Sequence, residues 1–169
     1  AWHCEQIRKS DFVELAGTYD PKESRREAAR ANGIYIYDSN EAIFADKNLD
    51  VIVVATPNDV HEDLVIRGLE SGHHVICEKP VALSVAEFDR MTAAAEKSGR
   101  RLSVHQNRRW DVDYLAIKSL IASGEIGDTI NIESRIHGSR GIPSDWRCLK
   151  RYGGGMILDW GVHLIDQML

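Results

Sequence analysis

Apolar and polar residues follow one another in blocks over the first hundred residues, and each block has the length of a strand or a helix. Runs of β-branched and aromatic residues predict strands, and amphipathic stretches that end at asparagine or glycine predict helices. Predicted strands cover residues 12–19, 34–37, 51–55, 74–77 and 102–105, and predicted helices cover residues 21–31, 39–44, 59–70 and 84–99. This alternation is typical of a doubly wound α/β domain with a parallel sheet.

Three local signals sharpen these boundaries. Asp20 followed by Pro21 suits the N-cap and first turn of a helix. Ser84 and Glu87 form a capping box at the start of another. The continuous β-branched run at residues 51–55 predicts a strand that is buried on both faces of a parallel sheet.

The pattern changes after Asn107. A helix is predicted for residues 113–122, and residues 129–137 then alternate between apolar and polar positions. An alternating strand is half exposed, so it belongs to a second, antiparallel sheet. We therefore expect a domain boundary near residue 107, with one domain at residues 1–107 and the start of another at residues 108–169.

Both ends of the chain have the pattern of interrupted elements. Residues 2–9 have the pattern of a helix end, and residues 157–165 form an apolar-rich run that no capping or turn residue closes. We expect the natural chain to continue beyond both ends.

Composition and charge exclude several classes of function. The 169 residues carry a net charge of −5, with basic residues dispersed, which argues against nucleic-acid binding. No apolar run approaches the roughly 20 residues that span a bilayer, and no secretion signal is visible. The three cysteines, Cys4, Cys77 and Cys148, are sparse and far apart, which favours the reducing cytoplasm over a disulfide frame or a zinc site.

Asp20, at the end of the first predicted strand, is a candidate for a nucleotide ribose. Dinucleotide-binding domains place an acidic residue about 20 positions after a G-x-G-x-x-G loop, where it binds the ribose hydroxyls. The chain has no such loop, but counting back from Asp20 puts the loop at or before Ala1. A helix cap is the alternative role, and a carboxylate with two oxygens could serve both.

Two turns follow predicted strands, where ligands of open α/β sheets bind. The first is residues 55–58, in which Thr56 and Asn58 could face a cofactor, although an ordinary Pro-Asn turn is the alternative. The second contains Lys79. A desolvated lysine has a lowered pKa and can donate to a substrate oxygen, whereas a surface lysine in a turn is the alternative.

Three segments together resemble the Gfo/Idh/MocA family of NAD(P)-dependent sugar and polyol oxidoreductases. They are Ala-Thr-Pro-Asn at residues 55–58 with His61 after it, Glu-Lys-Pro at residues 78–80, and the glycine-rich run GGGMILDWGVHLID at residues 153–166. Trp-Arg precedes the third segment. The resemblance covers nearly the whole chain, but the family's first strand, its glycine-rich loop and most of its C-terminal sheet are missing.

The resemblance implies a Rossmann-like domain followed by an α/β domain with a large, mostly antiparallel sheet. It also implies hydride transfer between NAD(P) and the secondary hydroxyl or ketone of a sugar or an inositol-like polyol, in a homo-oligomer. The catalytic residues would be Lys79, Asp159 and His163. The cofactor-binding residues would be Asp20, Thr56, Pro57, Asn58, His61, Glu78, Lys79, Gln106, Trp146 and Arg147.

The chemistry of alcohol oxidation fits the spacing of three residues in the last segment. Asp159, His163 and Asp166 lie on one face if the segment is helical. His163 is the best general acid/base because an unperturbed imidazole titrates near neutrality. Asp159 can orient the substrate hydroxyl, and Asp166 is expected to have a structural or supporting role.

Alternatives remain for the cofactor and for the function. Asp20 favours NAD because a carboxylate repels a 2′-phosphate, but Arg25 or Arg26 could reverse that preference by turning toward the ribose. A ligand-sensing or regulatory module of the same fold is one alternative function. A metal-dependent lyase or hydrolase is the other, with His61 or His105 adding a ligand to the acidic residues and His163. We expect no bound metal.

Overall fold

The computed structural model describes residues 2–137 and 144–169. The chain divides into two compact units, Ala1–Asp50 and Val51–Leu169. No helix in the described part of the chain has the length and apolar character that crossing a membrane requires. The domain boundary expected near residue 107 stays a prediction.

Three short helices form the framework of the first unit. They are α1 (Trp2–Ile7), α2 (Glu23–Ala31) and α3 (Asn40–Ala45), so helices occur where the sequence predicts them. The hydroxyl of Ser39 caps α3 by accepting the backbone N–H of Ala42 at 3.1 Å.

The N-terminus of α2 differs from the prediction. Lys22, in an extended conformation, occupies the N-cap position, and no side chain caps the helix. The carboxylate of Asp20 instead accepts the backbone N–H of Lys22 at 2.9 Å and Nη1 of Arg25 at 3.1 Å. The prediction that Asp20 is the N-cap is wrong, because the extended residue moves the helix start beyond its reach.

The two strands predicted in this unit are reduced to one parallel bridge between Thr18 and Ile36. The N–H of Thr18 donates to the carbonyl of Tyr35 at 2.9 Å, and the N–H of Tyr37 donates to the carbonyl of Thr18 at 3.0 Å. Phe12, at the other end of the predicted strand, is almost fully exposed. A strand needs partners for its backbone groups, and residues 12–17 have none among the described strands.

A parallel sheet of three strands is the centre of the second unit. The strands are β1 (Val51–Val54), β2 (His74–Cys77) and β3 (Leu102–Val104), in that order across the sheet. Val54 pairs with Cys77, and Cys77 pairs with Val104. The three strands therefore end level with one another, and the predicted Rossmann-like α/β arrangement is confirmed.

Two helices connect these strands. They are α4 (His61–Glu70) and α5 (Val85–Ser98), and their fully buried side chains include Leu69 and Met91. The predicted capping box is confirmed in part: the hydroxyl of Ser84 accepts the N–H of Glu87 at 3.2 Å. The carboxylate of Glu87 reaches one residue further back than expected and accepts the N–H of Leu83 at 2.8 Å.

Burial of β1 alternates along the strand. Ile52 and Val54 are buried, whereas Val51 is 42% exposed. The prediction that this strand is buried on both faces is therefore wrong at its start. A continuous apolar run is compatible with one buried face because successive side chains point to opposite sides.

After β3, every element in the described part of the chain is a helix or a helical turn. These elements include α6 (Val112–Ser123), a π-helical turn at Ile157–Gly161 and α7 (Val162–Met168). The helix predicted for residues 113–122 is confirmed. The strand predicted for residues 129–137 is wrong: this segment pairs with no described strand, and Ile130 is 97% exposed. Alternation alone does not make a strand without a neighbour to bond, and the expected antiparallel sheet does not form among the described residues.

Candidate functional site

The level ends of the three strands place three predicted site segments at one edge of the sheet. Residues 55–58 follow β1, residues 78–80 follow β2, and residues 105–107 follow β3. The N–H of Glu78 donates to the carbonyl of Val54 at 2.9 Å, and the N–H of His105 donates to the carbonyl of Cys77 at 2.8 Å. These bonds continue the parallel pairing beyond the strands and fix where the turns begin.

Lys79 and Asp159 meet across 80 residues of sequence. The Nζ atom of Lys79 donates to the backbone carbonyl of Asp159 at 2.7 Å and to its Oδ1 at 3.1 Å. Both side chains are largely buried. An ammonium has three donors, so this arrangement leaves one N–H of Lys79 for a further oxygen.

Arg147 lies on the outer side of the same carboxylate. Its Nε is 3.9 Å from Oδ1 of Asp159, and its Nη1 donates to Oδ2 of Asp145 at 2.8 Å. The guanidinium stacks on the ring of Trp146 with its Cζ 4.5 Å from the ring centroid. Arg147 of the predicted Trp-Arg pair therefore lies beside the candidate catalytic carboxylate, and Trp146 contacts Arg147.

His163 is buried next to these charges, with only 4% of its surface exposed. Burial, together with the positive charges of Lys79 and Arg108, lowers its pKa from 6.5 to about 4, although the negative charges of Asp159 and Glu78 act in the opposite direction. At the sequence level the acid/base role of His163 rests on the unperturbed pKa of an imidazole, and that role stays a prediction. At neutral pH the imidazole is uncharged and can accept a proton.

The α7 helix that carries His163 is tied to the turn after β3. Arg109 binds Asp166 through two hydrogen bonds, Nε to Oδ2 at 2.8 Å and Nη2 to Oδ1 at 2.5 Å. These bonds lower the pKa of Asp166 below its usual value. The structure thus gives Asp166 a supporting role, as the sequence predicts.

Two residues at this junction were missed at the sequence level. Arg108 places its guanidinium 4.3 Å from the ring centroid of Trp160, and that ring packs edge-on against His163 at 5.9 Å. Arg109 holds α7, as described above. Their only signal in the sequence is a pair of basic residues directly after a strand, which by itself is common on solvated surfaces.

The Asp159–Asp166 segment is less regular than the single helix that its spacing suggests. Asp159 lies in the π-helical turn, whereas His163 and Asp166 lie in α7. The backbone N–H of Asp159 donates to the carbonyl of Gly155 at 2.9 Å. The turn directs Asp159 toward Lys79, and α7 places His163 in the interior and Asp166 against Arg109.

His61 is fully buried beneath two of the turns. Its Nδ1 is 2.9 Å from the carbonyl oxygen of Pro80, and its Nε2 is 3.0 Å from the carbonyl oxygen of Thr56. Both ring nitrogens thus lie close to the backbone that follows β1 and β2, and an imidazole with one N–H donates to one of these two carbonyls. In this structure His61 supports the two turns, and its predicted contact with a cofactor stays a prediction.

Glu78 joins the turns after β2 and β3. Its Oε2 accepts the N–H of Lys79 at 3.1 Å, and its Oε1 is 3.2 Å from Nδ1 of His105. His105, considered as a metal ligand from the sequence, therefore has a carboxylate partner beside the candidate catalytic lysine.

Four buried polar atoms at the site have no hydrogen-bond partner in the described part of the chain. Such atoms are rare in folded proteins and need a ligand or water to complete them. They are Thr56 Oγ1, Asn58 Oδ1, Gln106 Oε1 and His163 Nδ1. Because three of these residues are predicted cofactor ligands and the fourth is a predicted catalytic residue, the polar groups present fit a nicotinamide cofactor with its amide and hydroxyl groups.

The structure gives few contacts for the remaining predicted cofactor residues. Gln106 uses its Nε2 to donate to the carbonyl of Val162 at 3.2 Å, which leaves its oxygen for another partner. Pro57 precedes a 3₁₀ turn at Asn58–Val60. Asp20 belongs to the first unit, where Arg25 occupies one of its carboxylate oxygens.

Comparison with known protein families matches nearly the whole chain. Residues 1–106 match the model described as an oxidoreductase family with an NAD-binding Rossmann fold, named GFO_IDH_MocA. Residues 114–169 match the GFO/IDH/MocA C-terminal domain.

Individual relatives agree with these family matches. The uncharacterized oxidoreductase YdgJ of Escherichia coli K12 is 40% identical over 169 residues, which cover 99% of this chain and 49% of that protein. The scyllo-inositol 2-dehydrogenase (NADP(+)) IolW of Bacillus subtilis is 34% identical over 130 residues, 76% of this chain and 36% of that protein. The chain spans less than half the length of these two curated relatives.

A solved structure is similar in fold as well as in sequence. The crystal structure of an NAD-binding protein from Listeria innocua superimposes with a TM-score of 0.96 at 46% identity. The match covers 99% of this chain and 50% of that one.

Proposed function

Because the chain belongs to the Gfo/Idh/MocA family of oxidoreductases, we propose that it is part of an NAD(P)-dependent dehydrogenase. The substrate would be the secondary hydroxyl or ketone of a sugar or an inositol-like polyol. The observation that carries the proposal is the meeting of Lys79 with Asp159, beside a buried and neutral His163. We further propose the domain boundary near residue 107 and a homo-oligomer for the full-length protein.

Lys79, Asp159 and His163 have different roles at one substrate oxygen. Lys79 donates its remaining N–H to the alcohol oxygen and stabilises negative charge that develops there. The Nδ1 atom of His163, which has no partner in the described part of the chain, takes the hydroxyl proton. A bound nicotinamide supplies the hydride acceptor.

Asp159 holds the side chain of Lys79 in place. Its Oδ1 and its backbone carbonyl both accept from Nζ of Lys79. The second carboxylate oxygen of Asp159 can accept from a neighbouring hydroxyl of the substrate. A polyol, which carries adjacent hydroxyl groups, would use this acceptor, whereas a simple secondary alcohol would not.

The low pKa of His163 fits a base rather than an acid in the resting protein. The cations Lys79 and Arg108 help to keep the imidazole unprotonated. When the substrate loses its hydroxyl proton, the imidazole becomes charged and Asp159 is the nearby carboxylate that favours that charge.

We propose NAD as the preferred cofactor. The carboxylate of Asp20 would bind ribose hydroxyls and repel a 2′-phosphate. Arg25, which lies 3.1 Å from Oδ2 of Asp20, is the residue that could offset this repulsion. Titrating the full-length protein with NADH and NADPH tests the preference, and tighter binding of NADPH would contradict it.

Steady-state kinetics of the full-length protein test the catalytic assignment. With a panel of sugars and inositols, Lys79→Ala and His163→Ala should each lower kcat by about 10²-fold or more, the range for loss of a positioned proton-transfer or oxyanion group. Affinity for reduced cofactor should change far less. The double variant should lose less than the product of the two, because both groups serve one oxygen.

Matched controls are available in the same chain. Lys97 and His137 are exposed, and their alanine variants should turn over normally. Normal turnover of both Lys79→Ala and His163→Ala would refute the catalytic assignment. A wild-type protein that binds cofactor but oxidises no member of a broad panel would favour the ligand-sensing alternative.

A further inference from the structure

The side chain of Asn58 joins two parts of the site that are far apart in sequence. It is only 5% exposed. Its Nδ2 donates to the backbone carbonyl of Gly153 at 3.1 Å, across 95 residues. Because that carbonyl can only accept, the amide nitrogen must face it, and Oδ1 is the atom that points elsewhere.

Oδ1 of Asn58 is buried and has no partner in the described part of the chain. A buried acceptor without a donor is unfavourable, so a ligand donor at this atom would bind with a clear gain. Asn58 lies in the turn after β1, where ligands of open α/β sheets bind. One planar amide therefore has one end bonded to the protein, whereas the other end lacks a partner in the described part of the chain.

Gly153 is held tightly at the other end of this link. It is buried and has a φ of +69°, and a Cβ at this position would lie 2.2 Å from Cδ2 of Leu83. Leu83 itself follows the Lys79 turn. Gly153 is thus fixed between Leu83 and Asn58 and has little freedom to shift on its own.

Five residues of backbone join Gly153 to Asp159. The N–H of Gly154 donates to Leu149 at 3.1 Å, and the N–H of Asp159 donates to Gly155 at 2.9 Å. The bond from Asn58 to Gly153 and the bond from Asp159 to Gly155 therefore hold the same short stretch of backbone, and Asp159 at its end contacts Lys79.

We propose that Asn58 couples cofactor binding to the placement of Asp159. Its Oδ1 accepts a hydrogen bond from the bound nicotinamide cofactor, and its Nδ2 holds Gly153 and so the turn that positions Asp159. Occupation of Oδ1 fixes the amide plane, which strengthens the bond to Gly153. The inference rests on the proposed function and adds a coupling to it: cofactor binding and the placement of Asp159 in the substrate site favour each other.

Hydrogen–deuterium exchange of the full-length protein measures this coupling without any turnover. The probes are NADH and NADPH, and the readout is exchange at the amides of residues 153–159. In the wild-type protein the cofactor should slow this exchange, by about fivefold if one net hydrogen bond is gained.

Two variants distinguish the donor and the acceptor of the Asn58 amide. Asn58→Leu removes both ends, so we expect faster exchange at residues 153–159 without cofactor, no slowing with cofactor, and weaker cofactor binding. Asn58→Asp keeps an acceptor and removes the donor, so it should still bind cofactor, within about tenfold if one hydrogen bond is perturbed, but show no slowing. Asn131→Leu at an exposed position is the control and should behave as wild type.

Each outcome decides the matter. Slowing that persists in either Asn58 variant overturns the inference, and so does wild-type protein that binds cofactor without slowing at residues 153–159. If Asn58→Leu does not fold, as thermal unfolding would show, the wild-type and Asn58→Asp results still decide. Wild-type protein that binds neither cofactor overturns the proposed function, and the inference with it.

Discussion

Acidification should destabilise the folded protein through the buried imidazole of His163. Its pKa is 6.5 when unperturbed and about 4 in the folded protein, because burial and nearby cations oppose its protonation. Between these two values the unfolded chain binds a proton that the folded protein does not. The free energy of unfolding must therefore fall as the pH falls from 6.5 to about 4, and this contribution is constant above and below that window.

The size of the effect follows from the two pKa values. Their difference corresponds to about 3 kcal/mol over the whole window. About 2 kcal/mol of this is lost between pH 7 and pH 5, because the unfolded imidazole is already largely protonated at pH 5. That loss is a large fraction of the stability of an ordinary domain.

Urea unfolding of cofactor-free full-length protein at pH 7 and pH 5 measures the effect. His163→Gln cannot titrate, so the difference in stability between wild type and variant should shrink by about 2 kcal/mol at the lower pH. Taking this difference cancels the other histidines. His137→Gln, at an exposed position, is the control and should keep the wild-type pH dependence.

A variant with the same pH dependence as wild type would refute the reasoning. It would mean that His163 is solvated or paired with Asp159 strongly enough to keep an ordinary pKa. The base role proposed for its neutral form would then lose its electrostatic support.

Three further predictions test packing, capping and cysteine environment. Gly153→Ala should lower the Tm of the full-length protein more than Gly99→Ala, because both have positive φ but only at Gly153 would the methyl group lie within 4 Å of other side chains. Ser84→Ala should destabilise the protein by about 1 kcal/mol through loss of a helix cap. A thiol reagent should label Cys148, which is exposed, in the native protein, but not Cys77, because burial raises the pKa of its thiol to about 12.

Local features of the fold were predictable from the sequence. The strands β1, β2 and β3 and the helices between them occur where β-branched runs and capping residues predict them. Such signals act between near neighbours in the chain, so they do not depend on the rest of the fold. Each of the three motifs, which lie between residues 55 and 166, is also a short local sequence. Their order along the chain identified the family.

Local patterns failed where a partner element decides the outcome. Residues 12–19 and 129–137 have strand-like sequences, but only Thr18 pairs with another segment of the described chain. The helix cap predicted at Asp20 also failed, because an extended Lys22 delays the helix. Backbone hydrogen bonds of a strand come from its neighbours, and a sequence pattern cannot supply them.

Both the sequence and the tertiary structure were needed to describe the candidate site. The sequence alone determined which side chains could do the chemistry, including Lys79, Asp159 and His163. Only the tertiary structure decided that Lys79 reaches Asp159 across 80 residues, that Asn58 reaches Gly153 across 95, and that burial and nearby cations lower the pKa of His163 to about 4. The physical reason is that residue type sets intrinsic chemistry, whereas burial and charge around a group depend on segments that only folding brings together.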